Sequence, residues 1–170
     1  MEILKDSILN HVFQRLAEGY RQQVPYYRQM LEIAQKQAEL LQQKEVKMDL
    51  LFEYINERQG LIDTLEGLSE GINALKQEIV AALEIQEFNL NRIRERVEGV
   101  GVDALTIVID ELGQLLQQIK ELDGQNEDAL RRAIEQTRQQ LQNVQEAKKV
   151  QQAYQGEPKA DGGAFIDYSK

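Results

Sequence analysis

The sequence predicts an all-α protein: an elongated, coiled-coil-like bundle of about four helices, two long and two shorter, followed by a flexible C-terminal tail. Apolar residues recur at steps of three and four along most of the 170-residue chain, and this spacing places them on one face of a helix. The chain has two prolines and no cysteine or tryptophan. It leans on Leu, Ile, Ala, Gln, Glu and Arg, which favour helix over strand. An all-β or doubly wound α/β fold is therefore disfavoured.

The first helix is predicted over about residues 3–43. Its apolar stripe is long and regular, with members at Leu9, Phe13, Leu16, Tyr20, Val24, Tyr27, Leu31, Ala34, Ala38 and Leu41. Pro25 interrupts the stripe with a residue that lacks a backbone N–H and crowds the preceding turn. We therefore expect a kink or a short break at Pro25.

A second, very long helix is predicted over about residues 49–97, with Asp49 placed to accept the free amides of its first turn. This helix would contain Gly60, Gly67 and Gly71, each of which costs up to about 1 kcal/mol relative to alanine. We expect a bend near the last two of these glycines.

Two shorter helices complete the predicted bundle. The third is expected over residues 103–122, with Asp103 as its cap. The dipeptide Asp123-Gly124 is typical of a turn, because glycine adopts positive φ angles without strain. The fourth helix is therefore expected to start after this turn and to span about residues 126–154.

The helices are expected to form a single domain over residues 1–155. The remaining residues, 156–170, are rich in glycine and offer too little apolar surface to offset the entropy of ordering the chain. We expect them to form a flexible tail.

Charge and composition exclude several kinds of partner. The formal net charge of -9 argues against nucleic acid, because an acidic chain is repelled by phosphates. The absence of cysteine means that no disulfide requires an oxidising compartment. The chain shows neither a run of 18 apolar residues nor a basic, apolar export signal. We expect a cytoplasmic protein that does not insert into a membrane.

The residue types that support catalysis or metal binding are scarce. The chain has one histidine, His11, so the two Glu-x-x-His motifs of a ferritin-like di-iron site are missing. We interpret His11 as a surface residue. Without cysteine, zinc and copper sites lack their usual ligands, and nucleophile pairs such as Ser–His have few possible members. We expect no enzymatic activity, no cofactor and no metal.

One glycine motif imitates a cofactor site. Residues 99–104, Gly-Val-Gly-Val-Asp-Ala, match the loose dinucleotide-binding pattern G-x-G-x-x-A. That pattern follows a buried strand, whereas the preceding residues here are charged and helical, and the carboxylate of Asp103 would meet the pyrophosphate. We interpret the motif as a linker in which Gly99 caps one helix and Asp103 starts the next.

Several short motifs follow one another in a recognisable order. The early set is Tyr27, Leu31, Ala34, then Leu40-Leu41, Leu50, Tyr54, Glu57-Arg58-Gln59 and Leu61-Ile62. The late set is Leu115-Leu116, Ile119, Leu122, Asn126 and Leu130, then Tyr154 and Phe165-Ile166-Asp167. Across nearly the whole chain, this order resembles the FlgN family of flagellar type III export chaperones.

The resemblance implies a cytosolic chaperone that binds the C-terminal segments of hook–filament junction (hook-associated) proteins, prevents their premature assembly and delivers them to the type III export gate. It further implies that the C-terminal helix binds these clients, and that Tyr154 contacts the cytoplasmic domain of the gate. The implied client face consists of Leu130, Ile134, Leu141 and Val144. By spacing alone, these four side chains fit equally well an ordinary core packed against the third helix.

Two other functions stay open. A FliT-like chaperone of the filament cap protein shares the small size, the helicity and the late tyrosine. A structural coiled-coil protein would instead self-associate, as a homodimer for example, with Arg58 and Gln86 as polar residues that set the register.

Overall fold

The computed structural model describes the backbone of residues 2–156 and the side-chain exposure of residues 6–155. Of these described residues 90% are helical, in four helices, and no strand occurs among them. The helices are α1 (Glu2–Leu41), α2 (Met48–Leu83), α3 (Leu90–Arg96) and α4 (Val100–Gly156). The prediction of an all-α fold is confirmed. The lengths differ from the expectation, because three helices are long and only α3, with seven residues, is short.

Helix α1 continues through Pro25 without a break. The side chains of Val24 and Met30, on either side of the proline, are both buried. Burial on both sides holds the helix where proline removes only one backbone hydrogen bond. The predicted break is therefore absent.

Helix α2 ends at Leu83, so the predicted helix over residues 49–97 is wrong beyond that point. Glu84 adopts the left-handed conformation, with φ 54° and ψ 42°. The N–H of Glu84 donates to the carbonyl of Ala81 at 3.3 Å, and the N–H of Ile85 donates to the carbonyl of Val80 at 3.1 Å. These two bonds form a Schellman motif. Because the left-handed residue is not glycine, no residue marks the end of the helix in the sequence.

The predicted turn at Asp123-Gly124 is also wrong, because α4 passes through it as one helix of 57 residues. The Asp123 carboxylate instead accepts two hydrogen bonds from the Arg58 guanidinium, at 2.6 and 2.8 Å. Three residues later, Asn126 Nδ2 donates to the carbonyl of Ala34 at 3.0 Å. Asp123, which suggested a turn, therefore holds α4 against α2, and Asn126 holds α4 against α1.

The start of α4 lies three residues before the predicted helix start at residue 103. Gly99 has a φ of +151°, and the N–H of Gly101 donates to Oδ1 of Asn10 at 2.7 Å. A Cβ atom at Gly101 would lie 2.4 Å from the backbone oxygen of Asn10 and 2.9 Å from Cβ of Phe13. The glycine thus permits close approach of α1, and a side chain of α1 caps α4. Helix α3, and not a strand, precedes the motif, which is therefore not a dinucleotide-binding motif. The roles predicted for its residues are wrong, because Val97 caps α3 and Asp103 lies within the first turn of α4.

The chain divides into two units, the first ending at Asn126 and the second starting at Glu127. Helix α4 runs through this boundary, and the single domain predicted over residues 1–155 stays a prediction. Of the expected tail, only Gly156 belongs to the described part of the chain, as the last residue of α4.

The core of the first unit lies between α1, α2 and residues 100–126 of α4. Gln23 of α1 donates to Ser69 of α2 at 3.1 Å, and Arg58 of α2 lies 3.4 Å from Gln37. These pairs show that α1 and α2 are antiparallel. The main core cluster consists of Phe13, Leu16, Ala17, Val24, Ile72, Ile79, Ile93, Val102, Leu105, Val108 and Leu112.

Candidate partner-binding surface on the C-terminal helix

The residues that the family resemblance implicates all lie in the second unit. Leu130 is half-buried. Ile134, Leu141, Val144 and Tyr154 are 50%, 59%, 52% and 73% exposed. The predicted third helix over residues 103–122 is part of the continuous helix α4. It therefore cannot pack beside these residues as an antiparallel neighbour. The interpretation of Ile134, Leu141 and Val144 as ordinary core is therefore wrong for the described chain.

Four of the residues share one face of α4, and we call Leu130, Ile134, Leu141 and Val144 the apolar stripe. Their steps of four, seven and three residues are those of a helix face with 3.6 residues per turn. The same steps occur earlier in α4 among side chains that are buried in the first unit. Those earlier residues are Leu105, Val108, Leu112 and Ile119.

Tyr154 does not belong to the apolar stripe. It follows Leu141 by 13 residues, which rotates it by roughly 140° around the helix at about 100° per residue. Val150, which is 57% exposed, follows Leu141 by nine residues and so lies on the opposite side. Val150 and Tyr154 therefore form a second exposed face. Sequence reasoning missed Val150 as a site residue, although its phase relative to Leu141 was available as a signal.

The two units differ in charge. Residues 127–170 carry seven acidic and seven basic side chains, so the whole formal charge of -9 belongs to residues 1–126. Within the described part of the second unit, Arg131 pairs with Glu127 at 2.6 Å and Arg138 with Glu135 at 3.8 Å. All four of these side chains are at least 60% exposed. Such exposed pairs contribute little to stability.

A polar cluster near the end of the first unit is of a different kind. The Arg58 side chain is 19% exposed and is held by both carboxylate oxygens of Asp123. The hydrogen bond to Asp123 raises the pKa of Arg58 further above its ordinary value, against the opposing effect of burial. Arg58 therefore acts as a polar contact within one chain, although the sequence had suggested a register-setting role between chains.

Gln86, the other residue suggested as register-setting, is not in a helix at all. It lies in the loop between α2 and α3 and lines a surface pocket of about 290 Å³. Arg96 also lines this pocket and donates to the carbonyl of Leu83 at 3.4 Å. The contact ties α3 to the end of α2.

Sequence reasoning also missed a second group of exposed apolar residues. Met48, Phe52 and Ile55, at steps of four and three on the first turns of α2, are 41%, 55% and 45% exposed. Their neighbour Leu51 is buried. The spacing of these three residues in the sequence was a readable signal of a helix face.

The described residues offer little that resembles a catalytic centre. No group of three or more His, Asp or Glu side chains among them is placed to hold a metal ion. His11 is exposed on α1, as predicted. None of the described helices is both long enough and apolar enough to cross a membrane.

Fold and surface together define a class: an all-α protein whose longest helix carries an uncovered amphipathic segment. The family model described as "FlgN protein" matches residues 9–161. The chain belongs to the FlgN family, and this membership supports a flagellar chaperone role. No curated protein and no solved structure shows a significant match to the chain.

Proposed function

We propose that this protein is a cytoplasmic flagellar export chaperone that binds the C-terminal segments of hook-associated proteins, prevents their premature assembly and delivers them to the type III export gate. The observation that carries the proposal is the apolar stripe of α4. Three of its four side chains are at least half exposed, in a chain whose family model covers the same helix.

The apolar stripe is suited to packing against an amphipathic helix of a partner protein. An amphipathic partner helix recognises apolar anchors at i, i+4 and i+7 spacing, and Ile134, Leu141 and Val144 have such a phase. An unassembled junction protein presents an amphipathic terminal segment with no partner. Coupled folding and binding typically buries about 1,000–3,000 Å² and costs roughly 2–5 kcal/mol of ordering. The resulting complex is reversible, as delivery to a gate requires.

The face formed by Val150 and Tyr154 supports a division of roles. Because Tyr154 is rotated away from Leu141 by roughly 140°, a helix on the apolar stripe leaves the tyrosine uncovered. A tyrosine with 73% exposure offers both a large apolar ring and a hydroxyl, a combination enriched at interfaces. We assign the apolar stripe to the client and Tyr154 to the cytoplasmic domain of the gate.

Titration calorimetry tests the client site. The full chain is titrated with a synthetic peptide of roughly the last 40 residues of a hook-associated protein from the same genome. We expect binding with a negative heat-capacity change, abolished by Leu141→Asp. Gln139→Asp is the matched control, since it adds the same charge at an exposed position on the opposite side of α4 and should leave binding intact.

Both substitutions should keep the far-ultraviolet helical signal, because neither side chain is part of the core. Equal binding by the Leu141→Asp variant and the parent would refute the client site. Binding to the terminus of the filament cap protein instead of the hook-associated peptides would assign the chain to the FliT-like function. If none of these peptides binds and the chain forms an oligomer that depends on its concentration, the structural coiled-coil function is favoured.

The gate contact is tested in the same titration with the purified cytoplasmic domain of the gate. We expect Tyr154→Ala to weaken gate binding and to leave client binding unchanged. Gln152→Ala, an exposed neighbour on the same turn, is the control. An equal loss of gate and client binding in the Tyr154→Ala variant would contradict the division of roles.

A further inference from the structure

The apolar stripe has two chemically different edges. Arg131, Arg138 and Lys149 lie ten residues before, three before and eight after Leu141. At about 100° per residue, all three fall roughly 60–80° to one side of Leu141. We call these three residues the cationic edge.

The other edge carries no charge. Ala133, Gln140 and Gln151 lie eight residues before, one before and ten after Leu141, which places them roughly 80–100° to the opposite side. Further around on that side lie Ala129, Gln136 and Ala147, which are also uncharged. We call this side the neutral edge.

The cations of the cationic edge are available to a partner. Arg131 and Arg138 make only the exposed pairs with Glu127 and Glu135, and the arginine side chains are 72% and 69% exposed. Lys149 is exposed and makes no ion pair within the described residues. Exposed i,i+3 and i,i+4 pairs are weak enough to be exchanged for carboxylates of a bound helix.

Resting on the proposed function, we propose that the client helix covering the apolar stripe carries carboxylates along the edge that faces Arg131, Arg138 and Lys149, and uncharged side chains along its other edge. Charged residues that flank an apolar seam set partner choice and orientation in coiled coils, and charge complementarity contributes more to specificity than to affinity. A charge on only one edge has a further consequence. A client helix that reversed its direction with the same face inward would place its carboxylates on the neutral edge.

The cationic edge therefore selects the direction in which the client helix binds. The correct direction forms up to three ion pairs, whereas the reversed direction leaves both the carboxylates and the cations without partners. Rejection of the wrong arrangement by unpaired charge is a general route to specificity.

Two variants of the full chain, one with three substitutions and one with six, test the proposal, with the hook-associated C-terminal peptide as the probe. The first, Arg131→Gln/Arg138→Gln/Lys149→Gln, removes the cationic edge. The second adds Ala133→Lys, Gln140→Lys and Gln151→Lys to the first, which restores the net charge on the neutral edge. Both sets of changes use good helix formers at positions outside the core.

We expect the first variant to bind roughly tenfold more weakly at low ionic strength, as the loss of three exposed ion pairs implies. The second variant should recover this loss with the client helix in the reversed direction, because its lysines lie on the edge that the reversed carboxylates face. Energy transfer between a dye at one end of the peptide and a dye at a single cysteine, introduced by Gln155→Cys into this cysteine-free chain, reports the direction. The difference in affinity between the first variant and the parent should shrink towards zero near 1 M salt, where charges are screened beyond about 3 Å.

Three results would overturn the inference. If the first variant binds the peptide as tightly as the parent and Leu141→Asp abolishes binding, the proposed function stands but the cationic edge has no role in it. Recovery by the second variant with the client helix in the same direction as on the parent would mean that net charge, and not its position, attracts the client. Failure of the unmodified chain to bind any hook-associated peptide would refute the proposed function itself and the inference with it.

Discussion

The two halves of α4 place the same kind of residue in opposite environments. Leu105 and Leu112 are buried in the first unit, whereas Ile134 and Leu141, at the same helical phase, are at least half exposed in the second. Composition cannot account for the difference, because both sets are aliphatic. In the first unit, α1 and α2 cover this face of the helix. An amphipathic pattern thus identifies a face, but the presence of a neighbour decides whether that face becomes core or stays exposed.

Charge separates the two units as well. The first unit carries the whole net charge of -9, and the second is balanced. Low net charge reduces long-range repulsion, so an acidic client is repelled less by the second unit than by the first. The apolar stripe and its cationic edge therefore occur on the part of the chain best suited to approach by carboxylates.

The largest expected effect compares the two halves of α4 directly. Leu112→Ala should lower the free energy of unfolding by about 2–4 kcal/mol, because it removes a side chain that is 6% exposed and leaves a cavity. Leu141→Ala, the same substitution at a side chain that is 59% exposed, should cost under about 0.5 kcal/mol. Urea unfolding measures both.

An equal loss of stability in the two variants would break the comparison, since it would mean that Leu141 is covered in solution. Sedimentation over a range of concentrations would then separate cover by a second copy from cover within one chain. Only the former depends on concentration.

A second comparison uses two ion pairs with the same nitrogen–oxygen distance of 2.6 Å, Arg58–Asp123 and Arg131–Glu127. Asp123→Ala should cost about 1–2 kcal/mol, because it leaves the mostly buried Arg58 guanidinium without its carboxylate. Glu127→Ala removes a pair exposed by 72% and 64% and should change stability by less than about 0.5 kcal/mol. Chemical denaturation at constant salt gives both values.

If the two substitutions cost the same, burial would not be what distinguishes the pairs. A double-mutant cycle with Arg58→Met would then show how much of the Asp123 effect belongs to the contact itself.

The sequence was sufficient for the fold class and for the faces of the long helices, because both follow from local periodicity. It was insufficient for the end of α2 and for the continuity of α4. Glu84 stops α2 in a conformation that glycine usually occupies, so no residue signal marks it. Asp123 and Asn126 have the composition of a turn, but their partners, Arg58 and Ala34, lie 65 and 92 residues away. Contacts at such separation are invisible to local patterns.

Part of the candidate site, too, could be predicted from the sequence and part could not. Spacing alone put Leu130, Ile134, Leu141 and Val144 on one face, and that placement holds in the structure. Exposure could not be predicted, because it depends on whether another element covers the face. The rotation of Tyr154 away from the stripe also followed from the spacing, because the predicted helix over residues 126–154 already contained both.

The smallest expected effect reverses sign between the two units. Glu84→Gly should raise the free energy of unfolding by about 0.5–1 kcal/mol, because glycine adopts the left-handed conformation without the penalty that a Cβ atom carries. Glu146→Gly, in the uninterrupted second half of α4, should instead weaken its helix by about 1 kcal/mol. Denaturation reports the first change, and amide hydrogen exchange across residues 135–155 reports the second. A stabilising effect at both positions would mean that the second half of α4 is not a continuous helix in solution, and the single face on which the apolar stripe depends would be lost.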